Sequence, residues 1–188
     1  MRKILRFPLL LLLLVAALGA CRSSTSETEV AVATEQKVSE PTVVYLVRHA
    51  EKDISNPSDQ DPDLTAEGRA RAEALRALLS SQEIDALYAT KYLRTISTLK
   101  PLADERKLEI RRYEGHDFSG IKQRLLQEHR GQTVVVAGHS NTLLPIIESF
   151  GAKRPVSDIS DQEYDFLFKL TIDPEDKTSV EVSQFTAQ

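Results

Sequence analysis

"VVYLVRHAEK", residues 43–52, decides the fold. Val43 to Val47 run together without a charged residue. A short run of this kind, rich in β-branched side chains, reads as a strand buried on both faces. Arg48 and His49 stand at its end, where a buried strand has little use for a cation and an imidazole. A second run, "QTVVVAGHS" (132–140), repeats the arrangement and also closes on a histidine, His139. Strands covered on both faces belong to a parallel sheet with helices on each side. In open sheets of that type, ligands bind in the crevice at the carboxyl ends of the strands. Both histidines are therefore expected at one rim.

The segments between these strands alternate in character. Helical patterns occupy 63–82, 92–107, 118–130 and 142–150, and shorter strands are expected at 84–89 and 108–113. In the first helix Leu75, Leu78 and Leu79 share a face. Pro101 implies a kink or restart in the second, and Gly151 stops the fourth. Residues 164–173 and 179–185 read as a hairpin joined through "PEDK". The expected fold class is α/β: a three-layer sandwich with a mostly parallel central sheet, helices on both faces and an antiparallel edge.

The N-terminal region is built differently. Arg2, Lys3 and Arg6 precede an apolar run from Phe7 to Leu18, followed by Leu18-Gly19-Ala20-Cys21. Charged, apolar and small-residue regions in that order form a secretory signal peptide, here residues 1–20. The run is shorter than the roughly 20 residues of an ordinary membrane span. Cys21 is the only cysteine, so no intramolecular disulfide is available. Its place after Leu-Gly-Ala resembles the bacterial lipobox, which implies cleavage before Cys21, lipid on its thiol and attachment to a membrane surface. Residues 21–41, rich in Ser, Thr and Glu, then read as a flexible tether leading to a globular domain over 42–188. An exported, membrane-anchored lipoprotein facing the periplasm or the exterior of a bacterial cell is the expected location.

Cleavage would remove three cations and take the formal charge from −4 to −7. A domain this acidic is a poor general partner for nucleic acid, so an anionic substrate must be bound by local cations. Those cations are present. The strand at 84–89 ends at Thr90, and Arg94 follows early in the next helix. Arg48 and Arg94 would converge on the rim, and Ser140 or Asn141 could cap the helix that follows His139. Helix N-termini attract anions, and arginine forks match phosphate oxygens. Two arginines, two histidines and a helix start make a dianion site, with phosphate as its natural occupant. His116 and His129 read as a loop and a helix-surface residue, and the histidine spacing matches no metal site.

"LVRHAEK", then "YATKYLRTISTLKPLA", then "VVVAGHSN" together resemble the histidine phosphatase superfamily, the phosphoglycerate mutase-like proteins. The likeness runs from Thr42 to about Gly151. It implies that His49 is the nucleophile and becomes phosphohistidine, that Arg48 and Arg94 grip the phosphoryl oxygens, and that His139 contacts the same group; Asn141, at the helix start, is expected to bind the phosphate with them. It implies no cofactor and no metal. A general acid is carried in the larger branch between the arginine and second-histidine motifs, which leaves Glu114 and Asp117. Asp117 is slightly preferred as a loop residue before a helix start, and some small members have no clear acid. Glu51 and Lys52 would orient the loop or line the pocket. The expected function is hydrolysis of a phosphomonoester of a small molecule. A phosphoprotein or phosphohistidine phosphatase and a non-catalytic phosphate-binding envelope protein are the alternatives. A mutase needs a shielded intermediate, and the chain has no long insertion to form a lid.

Overall fold

The computed structural model describes residues 40–186. The expected signal segment, Cys21 and nearly all of the tether lie outside them. Among the described residues no helix is long and apolar enough to cross a membrane.

Six strands and four helices alternate. They are β1 (Thr42–Arg48), α1 (Ala66–Leu78), β2 (Ala86–Ala89), α2 (Leu93–Arg106), β3 (Ile110–Arg112), α3 (Phe118–Glu128), β4 (Thr133–Gly138), α4 (Ser140–Ser149), β5 (Phe166–Ile172) and β6 (Thr178–Gln184). The strands form one sheet in the order β3-β2-β4-β1-β5-β6. β3, β2, β4 and β1 pair in parallel, whereas β5 runs antiparallel to β1 and to β6. The hairpin therefore supplies the antiparallel edge.

Alternation along each central strand divides the core in two. Val44, Leu46, Tyr88, Val134 and Val136 pack with Ile121 and Leu125 of α3 and with Leu143, Leu144, Ile146 and Ile147 of α4. Tyr45, Val47, Leu87, Val135 and Ala137 pack on the other face with Leu75 of α1 and with Leu99 and Leu102 of α2. Each fully buried Leu, Ile or Val contributes about 1.5–3 kcal/mol. Both sides of β1 and β4 are thus covered, which is why their sequences carry no polar alternation.

Several local expectations shift. α1 begins at Ala66 rather than at residue 63, because Leu64 pairs in an antiparallel bridge with Lys52 and the Thr65 side chain accepts from Gly68 N–H. Leu75 and Leu79 are buried, but Leu78 is 46% exposed and leaves the predicted face. α2 continues through Pro101 as one element, without a restart. α4 begins two residues early, so Ser140 and Asn141 lie in its first turn and His139 itself is the N-cap. His129 is buried rather than on the helix surface, with its ring nitrogens 3.0 Å from Tyr88 Oη and 2.7 Å from Gln132 Oε1.

Candidate active site

Strand register sets the rim. Arg48 lies opposite Gly138, so His49 and His139 follow side by side at the ends of neighbouring parallel strands. The His49 backbone N–H still donates to Gly138 O at 2.9 Å. Ala89 of β2 pairs with Ala137 of β4 and Arg112 of β3, which brings Thr90 and the start of the loop after β3 to the same edge. The His49 and His139 rings meet edge to face, with centroids 5.4 Å apart.

His49 is 4% exposed. Its Nδ1 lies 2.8 Å from Ala50 O. A carbonyl can only accept, so Nδ1 carries the proton and Nε2 keeps its lone pair. Burial pushes the imidazole down to about 3, and the charges of Arg48, His139 and Arg94 push the same way against the Ala50 hydrogen bond. His139 is pushed down to about 4, again mainly by burial and then by Arg94 and His116. Both rings are neutral at neutral pH.

The arginines are held from outside. Arg48 Nη1 donates to Ser160 O at 2.7 Å and Glu163 O at 3.0 Å, and its guanidinium lies 4.1 Å from the Tyr164 ring centroid. Arg94 lies 4.2 Å from the Tyr92 ring centroid. Asp161 and Asp61 each stand 3.7 Å from their arginine, Arg48 and Arg94 respectively. Asp61 also accepts from Leu93 N–H at 3.0 Å, which caps the start of α2 from the loop at 53–63. That loop therefore flanks the site. Thr98 accepts from Ala50 N–H at 2.9 Å and donates to Arg94 O at 2.7 Å, tying the histidine loop to the arginine helix.

The remaining expected residues separate. Glu114 lines a cleft of about 170 Å³ together with His139, Thr90, Tyr92, Gly115 and His116, and it also borders the depression that Asp117 lines. Asp117 lines a different depression, and its Oδ1 accepts from Gly120 N–H at 2.9 Å as the N-cap of α3. Asn141 is exposed in the first turn of α4. Glu51 forms a two-oxygen ion pair with Arg71, at 2.6 and 3.0 Å, and fastens the loop after His49 to α1. Among the described residues, no three His, Cys, Asp or Glu side chains are placed to hold a metal. Thr90, Tyr92, Thr98, Asp61 and Tyr164 were not foreseen as site residues. Tyr92 and Thr90 had a weak signal in their closeness to Arg94, and Tyr164 had none.

The model of the Histidine phosphatase superfamily (branch 1) matches residues 44–116, a span that holds Arg48, His49, Arg94 and Glu114. Over those residues the chain is similar to the histidine phosphatase superfamily. The match stops before His139, which the fold itself returns to the site. Phosphoserine phosphatase 1 of Hydrogenobacter thermophilus is 36% identical over 72 residues, 36% of this chain and 34% of its own length. The chain therefore aligns with about a third of that curated relative. Bacillus stearothermophilus YhfR has a similar fold, with a TM-score of 0.62 at 19% identity over 76% of this chain and 96% of its own. The protein histidine phosphatase SixA, solved with tungstate, gives 0.62 at 20% identity over 77% and 97%. These likenesses establish the phosphoglycerate mutase-like α/β fold.

Proposed function

We propose that this domain is a phosphatase of the histidine phosphatase superfamily that hydrolyses a small phosphomonoester through phosphohistidine on His49. The observation that carries the reading is the state of His49: buried, neutral and donating from Nδ1, so that Nε2 presents a free lone pair beside two arginines. Nε2 attacks phosphorus, the bond from phosphorus to the ester oxygen breaks, and the leaving oxygen takes a proton. Water then attacks the phosphohistidine, loses a proton, and releases inorganic phosphate and free His49. Dividing the reaction in this way replaces one hard step with two easier ones. Arg48 and Arg94 would stabilise the equatorial oxygens, the contribution phosphoryl transfer chiefly requires, so the chemistry works without a metal.

Glu114 is the favoured proton donor and acceptor, because it lines the cleft with His139, whereas Asp117 does not and is engaged as a helix cap. The relative named for phosphoserine supports a small phosphorylated metabolite. Lipid anchoring through Cys21 and export remain part of the proposal and rest on the N-terminal sequence.

The test is acid-labile phosphate on the protein after brief exposure to a phosphorylated substrate, read by mass spectrometry. His49→Ala should lose both the label and turnover of an aryl phosphate while keeping the parent's circular dichroism. Parent-like turnover by His49→Ala would remove the nucleophile assignment.

A further inference from the structure

The turn from β2 into α2, Thr90 to Thr95, holds His139 through a chain of hydroxyls whose direction can be worked out. Thr95 Oγ1 lies 2.8 Å from Tyr92 O and 3.2 Å from Thr90 O. Carbonyl oxygens only accept, so Thr95 gives its one hydroxyl proton to them. Thr95 Oγ1 also lies 2.9 Å from Thr90 Oγ1. With the Thr95 proton already committed, Thr90 donates across this contact. Thr90 then has no proton left for its other neighbour, His139 Nε2, at 3.0 Å. That contact closes only if Nε2–H donates to Thr90.

We infer that Thr90 and Thr95 are positioning residues that hold the second histidine as its Nε2–H tautomer against the nucleophile. The relay is dry: Thr90 is 2% exposed and Thr95 is fully buried. A buried polar group left unpaired there is costly. The same turn fixes the ring from a second side, since Tyr92 packs edge to face on His139 with centroids 5.5 Å apart. Gly115 closes the third side. A Cβ there would lie 3.2 Å from Thr90 Cγ2 and 3.9 Å from His139 Cδ2.

The consequence is a pair of imidazoles locked in opposite tautomers. His49 donates from Nδ1 to Ala50 O, and His139 donates from Nε2 to Thr90. Neither ring can turn over without breaking a buried hydrogen bond, so the lone pair that reacts is always Nε2 of His49. The partner of each ring nitrogen selects the tautomer, which is why a hydroxyl with a fixed donor direction matters.

Histidine-labelled 15N NMR of the full chain tests the tautomer directly, with His139 assigned by its His139→Gln variant. The parent should show His139 as Nε2–H and His49 as Nδ1–H at neutral pH. Thr90→Ser should keep both. Thr90→Val, which retains the shape and deletes the hydroxyl, should release His139 to a tautomer mixture and lower kcat/KM for an aryl phosphate by roughly tenfold or more. An Nδ1–H tautomer of His139 in the parent overturns the inference, whether or not a variant folds. So does a Thr90→Val spectrum identical to the parent's. The kinetic arm rests on the phosphatase reading and the spectroscopic arm does not. An inactive parent with the stated tautomers would remove the first and leave the second.

Discussion

Acid should destabilise this domain through the buried His49, and the size of the effect can be worked out. His49 has an ordinary value of 6.5 and is pushed down to about 3 in the folded chain, chiefly by burial. Between those values the unfolded chain binds a proton that the folded chain refuses. Stability rises with pH wherever the unfolded state binds more protons, so here it falls as pH drops below 6.5. At pH 5 the loss is about 2 kcal/mol relative to neutral pH, from one and a half units at about 1.4 kcal/mol each. This figure depends almost wholly on the unfolded-state value, since pH 5 is well above the folded one. By the same arithmetic His139, pushed down to about 4, adds a loss of the same sign and nearly the same size.

A loss of this size is a large share of the roughly 5–15 kcal/mol that holds a domain together. The assay is denaturant unfolding at pH 7 and pH 5 for the parent and for His49→Gln. The difference between the two pH slopes reports His49 together with its effect on the adjoining His139 ring. The variant should lose about 2 kcal/mol less than the parent over the interval. Equal slopes would mean that His49 is not held neutral in the fold, and the account of its reactivity would fail with it.

Arg94→Ala should lower kcat/KM by on the order of 10²–10³, as loss of a preorganised charge donor does, while thermal unfolding stays near the parent's. Unchanged kinetics would take Arg94 out of the site. Gly68→Ala should destabilise by roughly 1–3 kcal/mol or more, because its Cβ would stand 2.3 Å from Glu51 O and force the loop after His49 away from α1. A calorimetric midpoint equal to the parent's would contradict this. Glu114→Gln should slow hydrolysis of alkyl phosphates by roughly 10²–10⁴ and of aryl phosphates much less, since a good leaving group needs no proton. Asp117→Asn should leave both rates and stability nearly unchanged, because Asn caps a helix as well as Asp. If Asp117→Asn slows alkyl phosphates and Glu114→Gln does not, the two carboxylates exchange roles.

The fold was legible because its central strands are extreme. Val43–Val47 and Val134–Ala137 pack on both faces, so their composition alone announced a covered parallel sheet. The register that sets His49 beside His139 follows from two such strands ending alike. Helix ends were harder to read. Leu64 and Thr65 fit a helical pattern, yet a bridge to Lys52 and a cap on Gly68 N–H claim them, and neither contact is local in the periodicity. His129 looked exposed because the partner that buries it, Tyr88, lies 41 positions away in sequence. Of the site, the charged and reactive side chains stood out, and the groups that hold them did not. Tyr164, Ser160 and Glu163 belong to a segment without regular structure, where no repeat links a residue to what it touches. Between Glu114 and Asp117 the choice depended on a helix cap, which a sequence permits at either residue and only coordinates assign.

The held arginines also bear on how so acidic a chain could keep the proposed anion site. Asp61 and Asp161 stand 3.7 Å from the two guanidinium groups, but their side chains are 41% and 97% exposed. Ion pairs that wet are worth about 0–1 kcal/mol. A dianion can therefore take their place at small cost. The contacts that aim the arginines are of another kind. The Ser160 and Glu163 carbonyls hold Arg48, and the Tyr164 and Tyr92 rings cover the two guanidinium faces, without adding a negative charge that would compete. Orientation comes from neutral partners and compensation from displaceable ones. An oxyanion that enters then meets cations already in position, and little of its binding energy goes into rearranging them.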